Sequence, residues 1–543
     1  MPAIAPTVVV EATLSPWLLG ATGSSELGET TYPDGTLIDV TADVTNTAPI
    51  QVDYGIKGNG PLDRIASTGT MTFSLNNAAN NSGGVVGYYS PGHANARTGW
   101  DIGLLVRLKL TYDGTTYYKF AGNLISVVPD AGSSGRRSVN CTAVDWMDEA
   151  ARAKVRDVTV QIDKRADELI DSLVSNSVSK QPLATSYNTG QSTFEYAFDN
   201  LLDTQTSVLR ALSDCVISEL GYLYVKGDTT QGGTLKFEDR YARPKYGLAD
   251  ASFDNTMSGL EVDRGRQDVI NRVYVVVHPR TADASNSVLY ELTTTASVPS
   301  IPVDTTIELI APFKESSIRG YRIAGSEVIA PSSGTDWIAN TAADGSGTNI
   351  TTSVDVTHST TSANSVTFRI VNNSGVTAYI TTLQVRGKAL KDVTETVFSS
   401  TDAASQLEYG ENDSRVSMKY ESNTGAYASE VANWILNITK DARYVIKNFT
   451  LKSNSSTALM TQSLLREPGD KIAVAESVTG IAASGATGVQ IGYFINGVSM
   501  TVNPGGIIDT SWVLAPANQQ SAWVLGTAGA SELGVTTNLA FAI

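Results

Sequence analysis

Residues 106–124 read Val-Arg-Leu-Lys-Leu-Thr-Tyr-Asp-Gly-Thr-Thr-Tyr-Tyr-Lys-Phe-Ala-Gly-Asn-Leu. Val106, Leu108, Leu110 and Tyr112 alternate with Arg107, Lys109 and Thr111, the two-residue period of a strand with one face in a core. Asp113-Gly114 is a two-residue turn of the kind that closes hairpins, and Tyr118, Phe120 and then Leu124 run back from it. The hairpin sets the class of everything around it. Before it, Leu37–Val44 alternates, and Gly69–Leu75 places Met71, Phe73 and Leu75 on one face; after it, Val139–Val144 adds a further strand. About six strands in roughly 110 residues suit a small closed barrel or a sandwich. That region is taken as residues 37–155, with the polar, glycine-rich stretch 76–91 as a loop.

Composition extends this reading to the whole chain. At 543 residues there is room for roughly three to five domains. Charged residues make up only 17% while Thr, Ser, Gly, Val and Asn abound, which favours strand over helix. With 39 basic and 55 acidic residues the formal charge is −16, which argues against binding nucleic acid by charge neutralisation. Such a balance is compatible with a wall past which DNA slides without adhering, although most acidic proteins are simply soluble. Cys141 and Cys215 are too few for a disulfide framework, and neither lies in a C-x-x-C pair. The proline-interrupted N-terminus does not read as a signal peptide, and no apolar run approaches the eighteen or so residues of a membrane span, so folding in a cytoplasm is expected.

Along the chain, residues 1–36 read as an arm with a short β-run at Thr7–Val10. Residues 156–260 form a small α+β module. Ala166, Leu169, Ile170, Leu173 and Val174 recur at helical spacing, as do Val208, Leu209, Leu212, Cys215, Val216 and Leu220, and Gly221 is placed to stop that second helix. A hairpin at 222–226 and 234–238 completes the module. A second β-core is expected in two pieces, 261–300 and 396–478, with Asn271–His278 as a fully buried strand and a helix from about Ala426. Between the pieces, 301–395 is rich in Ser, Thr and Asn and alternates like an inserted β-sandwich, while 479–543 reads as a β-rich C-terminal extension.

One segment occurs twice. Trp17-Leu-Leu-Gly-Ala-Thr-Gly-Ser-Ser-Glu-Leu-Gly-Glu-Thr-Thr near the N-terminus returns as Trp523-Val-Leu-Gly-Thr-Ala-Gly-Ala-Ser-Glu-Leu-Gly-Val-Thr-Thr. Glycines and an apolar anchor describe a tight β-turn segment whose side chains seek a socket. Trp17, Leu19, Leu27, Trp523, Leu525 and Leu533 are therefore candidate assembly anchors, or simply local hairpin residues.

The search for chemistry is negative. The sequence has no His-Glu-x-x-His, no Gly-x-Ser-x-Gly, no phosphate-binding loop, and no Cys/His cluster with zinc spacing. His93, His278 and His358 fall in unrelated places, and His278 reads as an ordinary strand-end residue. No catalytic residue, metal or cofactor is expected. Basic and aromatic residues do not interleave, which speaks against sequence-specific nucleic-acid binding.

Several stretches together resemble the tail-tip or baseplate hub proteins of tailed bacteriophages, often called minor tail proteins in siphophages. They are Asp39-Val-Thr-Ala-Asp-Val, Gly69-Thr-Met-Thr-Phe-Ser-Leu-Asn-Asn, Gly103 with the hairpin ending Phe120-Ala-Gly-Asn-Leu, Tyr379-Ile-Thr-Thr-Leu-Gln-Val-Arg-Gly-Lys-Ala-Leu, Glu467-Pro-Gly-Asp-Lys-Ile-Ala-Val, and the closing segment from Trp523 to Thr537. The resemblance implies a virion protein at the tail tip, a homotrimer in which each subunit contributes two tail-tube-like β-barrels to a ring around the DNA ejection path. Implied partners are further copies, the distal tail or tail-tube protein, the tape-measure protein, and tail fibres or tip proteins. Two other readings compete with this structural role. In one, the 301–395 sandwich binds a host-surface glycan, with Trp337 and Tyr379 as candidate stacking residues. In the other, the chain is a tail-associated cell-wall hydrolase, for which it carries no recognisable motif.

Overall fold

Asp113 and Gly114 both take left-handed backbone, φ 46° and 75°, the requirement of a type I′ turn, and the hairpin closes on them with Tyr112 opposite Thr115. In the computed structural model, the described residues are 4–14, 37–132, 137–156, 158–199, 201, 205–243, 249–292, 298–313, 322–421, 426–476, 479 and 492–517. The Trp-Gly segments, and with them Trp17, Leu19, Leu27, Trp523, Leu525 and Leu533, lie outside these.

The hairpin strands, Leu105–Tyr112 and Thr115–Pro129, belong to a 13-stranded sheet. Thr7–Thr13, part of the stretch read as an arm, pairs antiparallel with Leu105–Tyr112, and Val10 and Ala12 are fully buried beside Val106, Leu108 and Leu110. On the return strand the alternation predicts Tyr118 inward, but a bulge opposite Leu108 and Lys109 shifts the register. Tyr117 and Phe120 are buried, Tyr118 is half-buried under the Arg107 guanidinium, and Lys119 is turned into the interior.

Mainly β architecture with a small α+β module is what the chain adopts. The two β-cores, expected as separate tube-like barrels, are hydrogen-bonded into one sheet, and among the described residues no sheet closes on itself. The cause is the strand Tyr493–Asn503. It pairs antiparallel with Ile507–Pro516 on one side and with Ile50–Gly55 on the other, so neither core keeps a free edge there. The strands at 493–516, read as an extension, therefore lie in the middle of the sheet. Beyond them come Val445–Lys452 and Gly259–Asp263, while Lys471–Ala475 pairs with both Tyr493–Asn503 and Ala251–Asp254. One core runs beneath, from Leu108 and Phe73 to a trio in which Phe449 stacks on Trp512 at 5.4 Å and Phe253 meets both edge-on.

Arg272–Val277 is a strand as foreseen, but Arg272 and Tyr274 are half-buried rather than fully buried, and it lies in a separate three-stranded sheet between Thr396–Thr401 and Asp413–Met418, covered by the helix Ala426–Thr439. The α+β module packs Ala166–Ser177 and Val208–Glu219 over the hairpin Tyr222–Lys226/Thr234–Glu238. Its second helix ends on Leu220 rather than Gly221: Leu220 takes φ 58°, fully buried. Gly221 is needed for another purpose, since a Cβ there would sit 2.5 Å from the Glu238 carbonyl oxygen. The inserted sandwich has its own core. Ala378–Asp392 pairs with five strands, and this sheet faces Thr306–Pro312, Ser365–Asn372 and Val354–Thr361 across Phe313, Phe368, Ile370 and Ile380. Among the described residues no helix is long and apolar enough to cross a membrane.

Gly55 marks the seam between the two halves of the large sheet. Its φ is +94°, and a Cβ would lie 2.5 Å from the Asn496 carbonyl oxygen; Gly114, also left-handed at +75°, faces open space. Gly55→Ala is expected to lower stability by at least about 2 kcal/mol in urea unfolding, and Gly114→Ala by roughly 1 kcal/mol. Equal losses would mean that the seam is not tightly packed.

Candidate functional site

The feature that ties the modules together is a buried carboxylate in the Glu467-Pro-Gly-Asp turn. The helix Thr457–Leu465 ends just before it, and the turn is closed by Asp470, whose backbone N–H donates to the Glu467 carbonyl at 3.1 Å and whose carboxylate accepts from the Glu467 N–H at 3.2 Å. This geometry aims the Glu467 side chain inward. One carboxylate oxygen accepts from the Lys119 ammonium, and the other accepts from the Tyr54 hydroxyl at 2.8 Å and from the Gly227 N–H at 3.0 Å. Lys119, 1% exposed, spends its other two protons on the carbonyls of Leu464 at 3.1 Å and Arg466 at 3.2 Å. Tyr54 and Lys119 come from the first β-core, Gly227 from the α+β module, and Glu467 from the distal half of the sheet.

A second ion pair completes the junction. Arg243, 1% exposed, donates to Glu238 at 2.7 Å and to the Asn496 side chain at 2.7 Å, and its guanidinium lies 3.8 Å from the centre of the Tyr222 ring. Glu238 also accepts from the Tyr224 hydroxyl at 2.9 Å, and Asn496 donates to the Gly58 carbonyl at 2.7 Å. Burial, reinforced by the neighbouring carboxylates Glu467 and Glu238, pushes the Tyr54 and Tyr224 phenols well above their ordinary range, so both remain protonated donors. Burial alone would lower the Arg243 guanidinium; Glu238, together with Tyr222 and Tyr224, more than offsets it, and Arg243 stays charged.

The arrangement binds the protein to itself. Every oxygen of Glu467 already holds a donor, and the adjoining cavity is ≈ 10 Å³, far below the roughly 300 Å³ of small-molecule sites. Among the described residues no group of three or more His, Cys, Asp or Glu side chains is placed to hold a metal. Of the candidate glycan residues, Trp337 is 7% exposed and packs in the sandwich core, and Tyr379 is half-buried on the neighbouring strand opposite Asn340. His278 hydrogen-bonds Ser417 at 2.8 Å and lies 3.4 Å from Glu395, an ordinary strand-end setting. Both cysteines are buried and free.

No family model matches the chain, and no characterised protein matches it by sequence. The chain is similar to tail proteins of solved structure. One is the tail protein from Neisseria meningitidis MC58 and another the 43 kDa tail protein of prophage MuSo2 from Shewanella oneidensis, each at 8% identity and a TM-score of 0.46 over 95% of this chain and 99% of the other. A third is prophage tail protein gp18 from Listeria monocytogenes EGD-e, at 7% identity and a TM-score of 0.39 over 95% of this chain and 96% of that one.

Removing one partner of the junction strands a charge. Lys119→Met is expected to cost about 3–5 kcal/mol in urea unfolding, and adding Glu467→Gln should recover part of that loss. A double variant as unstable as the sum of the singles would contradict the coupling. A separate pH effect comes from Asp145, which caps the helix Trp146–Arg152 by accepting from the Met147 N–H at 3.0 Å. Burial raises its carboxyl from 3.8 to about 7, so the folded protein holds an extra proton and loses stability as pH rises from about 4 to about 7. Asp145→Asn should make the fall of melting temperature across that window shallower, leaving the share of Glu421, whose carboxyl burial also raises to about 7, and make the protein more stable than wild type above it; an unchanged slope would refute the assignment.

Proposed function

We propose that the chain is a structural subunit of a bacteriophage tail, a trimeric tail-tip or baseplate hub that joins the tail tube to the distal tip and surrounds the DNA ejection path. The observation that carries this reading is the pair of β-cores joined in one continuous sheet and pinned by buried ion pairs, which gives a subunit a large, stiff wall. Three copies would supply six such cores, the number needed to meet a hexameric tube from a threefold tip. The charge of −16 keeps such a wall from holding the DNA that passes it. The sequence resemblance stated above supports the same reading and names the partners: neighbouring copies, the distal tail or tail-tube protein, the tape-measure protein, and fibre or tip proteins. The virion tail tip is its place, reached after assembly in the host cytoplasm.

Receptor or glycan binding is the second reading, favoured by one feature. The inserted sandwich closes its own core and still leaves Ile310 68% exposed and Val376 46% exposed. It is compatible with a hub that also touches the host surface. The structural reading is tested by light scattering of the full chain: a mass near three times 57.5 kDa is expected. A mass that stays at one subunit at every concentration would contradict it.

A further inference from the structure

A cleft of ≈ 590 Å³ opens where the first β-core meets the α+β module. Its floor is apolar: Leu124 is buried, while Ile102 and Ile125 are 61% and 46% exposed. Lys154, Arg156 and Lys180 stand on its rim. All three are exposed, and their side chains enter no ion pair among the described residues. Arg152, on the same rim, is already shared between Asp148 and Glu149. Deeper in, Asn123 is 4% exposed, and its side-chain carbonyl has no donor among the described residues.

Three unmatched cations in one cleft reverse the sign of a chain whose overall charge is −16. A phosphate would use the cations but neither the apolar floor nor an unmatched acceptor. An acidic peptide segment uses all three features: carboxylates for the rim, an apolar side chain for the floor, and an N–H for Asn123. The chain itself presents such a segment on a different module. At the end of the helix Ala403–Tyr409, Leu407 is 91% exposed, the most exposed large apolar side chain among the described residues. Glu408, Glu411 and Asp413 follow it, all exposed. Arg272 lies 3.2 Å from Glu411 and 3.5 Å from Asp413, so one cation serves two carboxylates and the segment remains negative.

We propose that the 407–413 segment of a second copy docks in this cleft, with Leu407 against Ile102 and Ile125 and its carboxylates toward Lys154, Arg156 and Lys180. The two surfaces differ, so the contact is head-to-tail, the geometry that makes a ring when its rotation closes. The proposal rests on the ring-forming reading above and names the surface that makes the ring.

The test uses the full chain with charge reversals on either side. K154E/R156E/K180E and E408K/E411K/D413K should each raise the concentration at half-assembly by at least about tenfold in light scattering, and salt should weaken the wild-type assembly. Combining all six changes in one chain, which pairs an acidic cleft with a basic segment at every contact, should restore it. Thermal melts check that each variant folds. A wild type that assembles while both reversed variants assemble equally well would overturn this interface and leave the hub reading standing. A wild type that remains a single subunit would remove both.

Discussion

The carboxylate of Glu467 is the constraint on which the rest of the structure depends. A buried charge is tolerated only where donors surround it, and here the donors come from residues far apart in the chain. Lys119 reaches it from a bulged hairpin strand, Tyr54 from the seam strand, and Gly227 from the turn of the α+β hairpin. None of these three can shift without leaving an ammonium, a phenol or an amide unsatisfied. The pair Arg243–Glu238 repeats the arrangement close to the same turn, where a Cβ on Gly469 would lie 2.7 Å from Glu238, with Asn496 linking it to the sheet. Ion pairs of this kind add little net stability over an apolar contact, but they fix relative position sharply.

That distinction suits the stiff tail-tip wall proposed for this chain. Hinged domains typically meet across modest, wet interfaces. Here the two β-cores share ladder hydrogen bonds along Gly497 to Val502 opposite Gly55 to Ile50, and a common apolar interior runs under both. A wall built this way transmits force through backbone bonds rather than through side-chain contacts alone. The inserted sandwich, by contrast, keeps a separate core, which lets it vary without disturbing the wall.

Much of this was legible in the sequence, and the rest was hidden for identifiable reasons. The Asp113-Gly114 hairpin, the helices carrying Leu169 and Leu212, the strand at Arg272–Val277 and the inserted sandwich all follow from period and turn chemistry. The inward turn of Lys119 does not, because strict alternation sends it to solvent and only the bulge brings it in. The central position of Tyr493–Asn503 was equally invisible: its partner Ile50–Gly55 lies more than four hundred residues away, and pairing across such a distance leaves no local signature. Leu220 in a left-handed cap defeats the expectation for Gly221, since the glycine is claimed by a close backbone approach. The junction was partly in view, because the Glu467-Pro-Gly-Asp turn stood out in the sequence. Its role did not, since a carboxylate looks the same whether it faces water or an ammonium.

The central claim is that this chain is a wall-forming subunit of a tail tip. Electron microscopy of phage particles labelled with antibody to the chain tests it most directly. The account predicts label at the distal end of the tail and nowhere along the tube or capsid. Label along the tube or capsid, or particles that carry none of the chain, would contradict it.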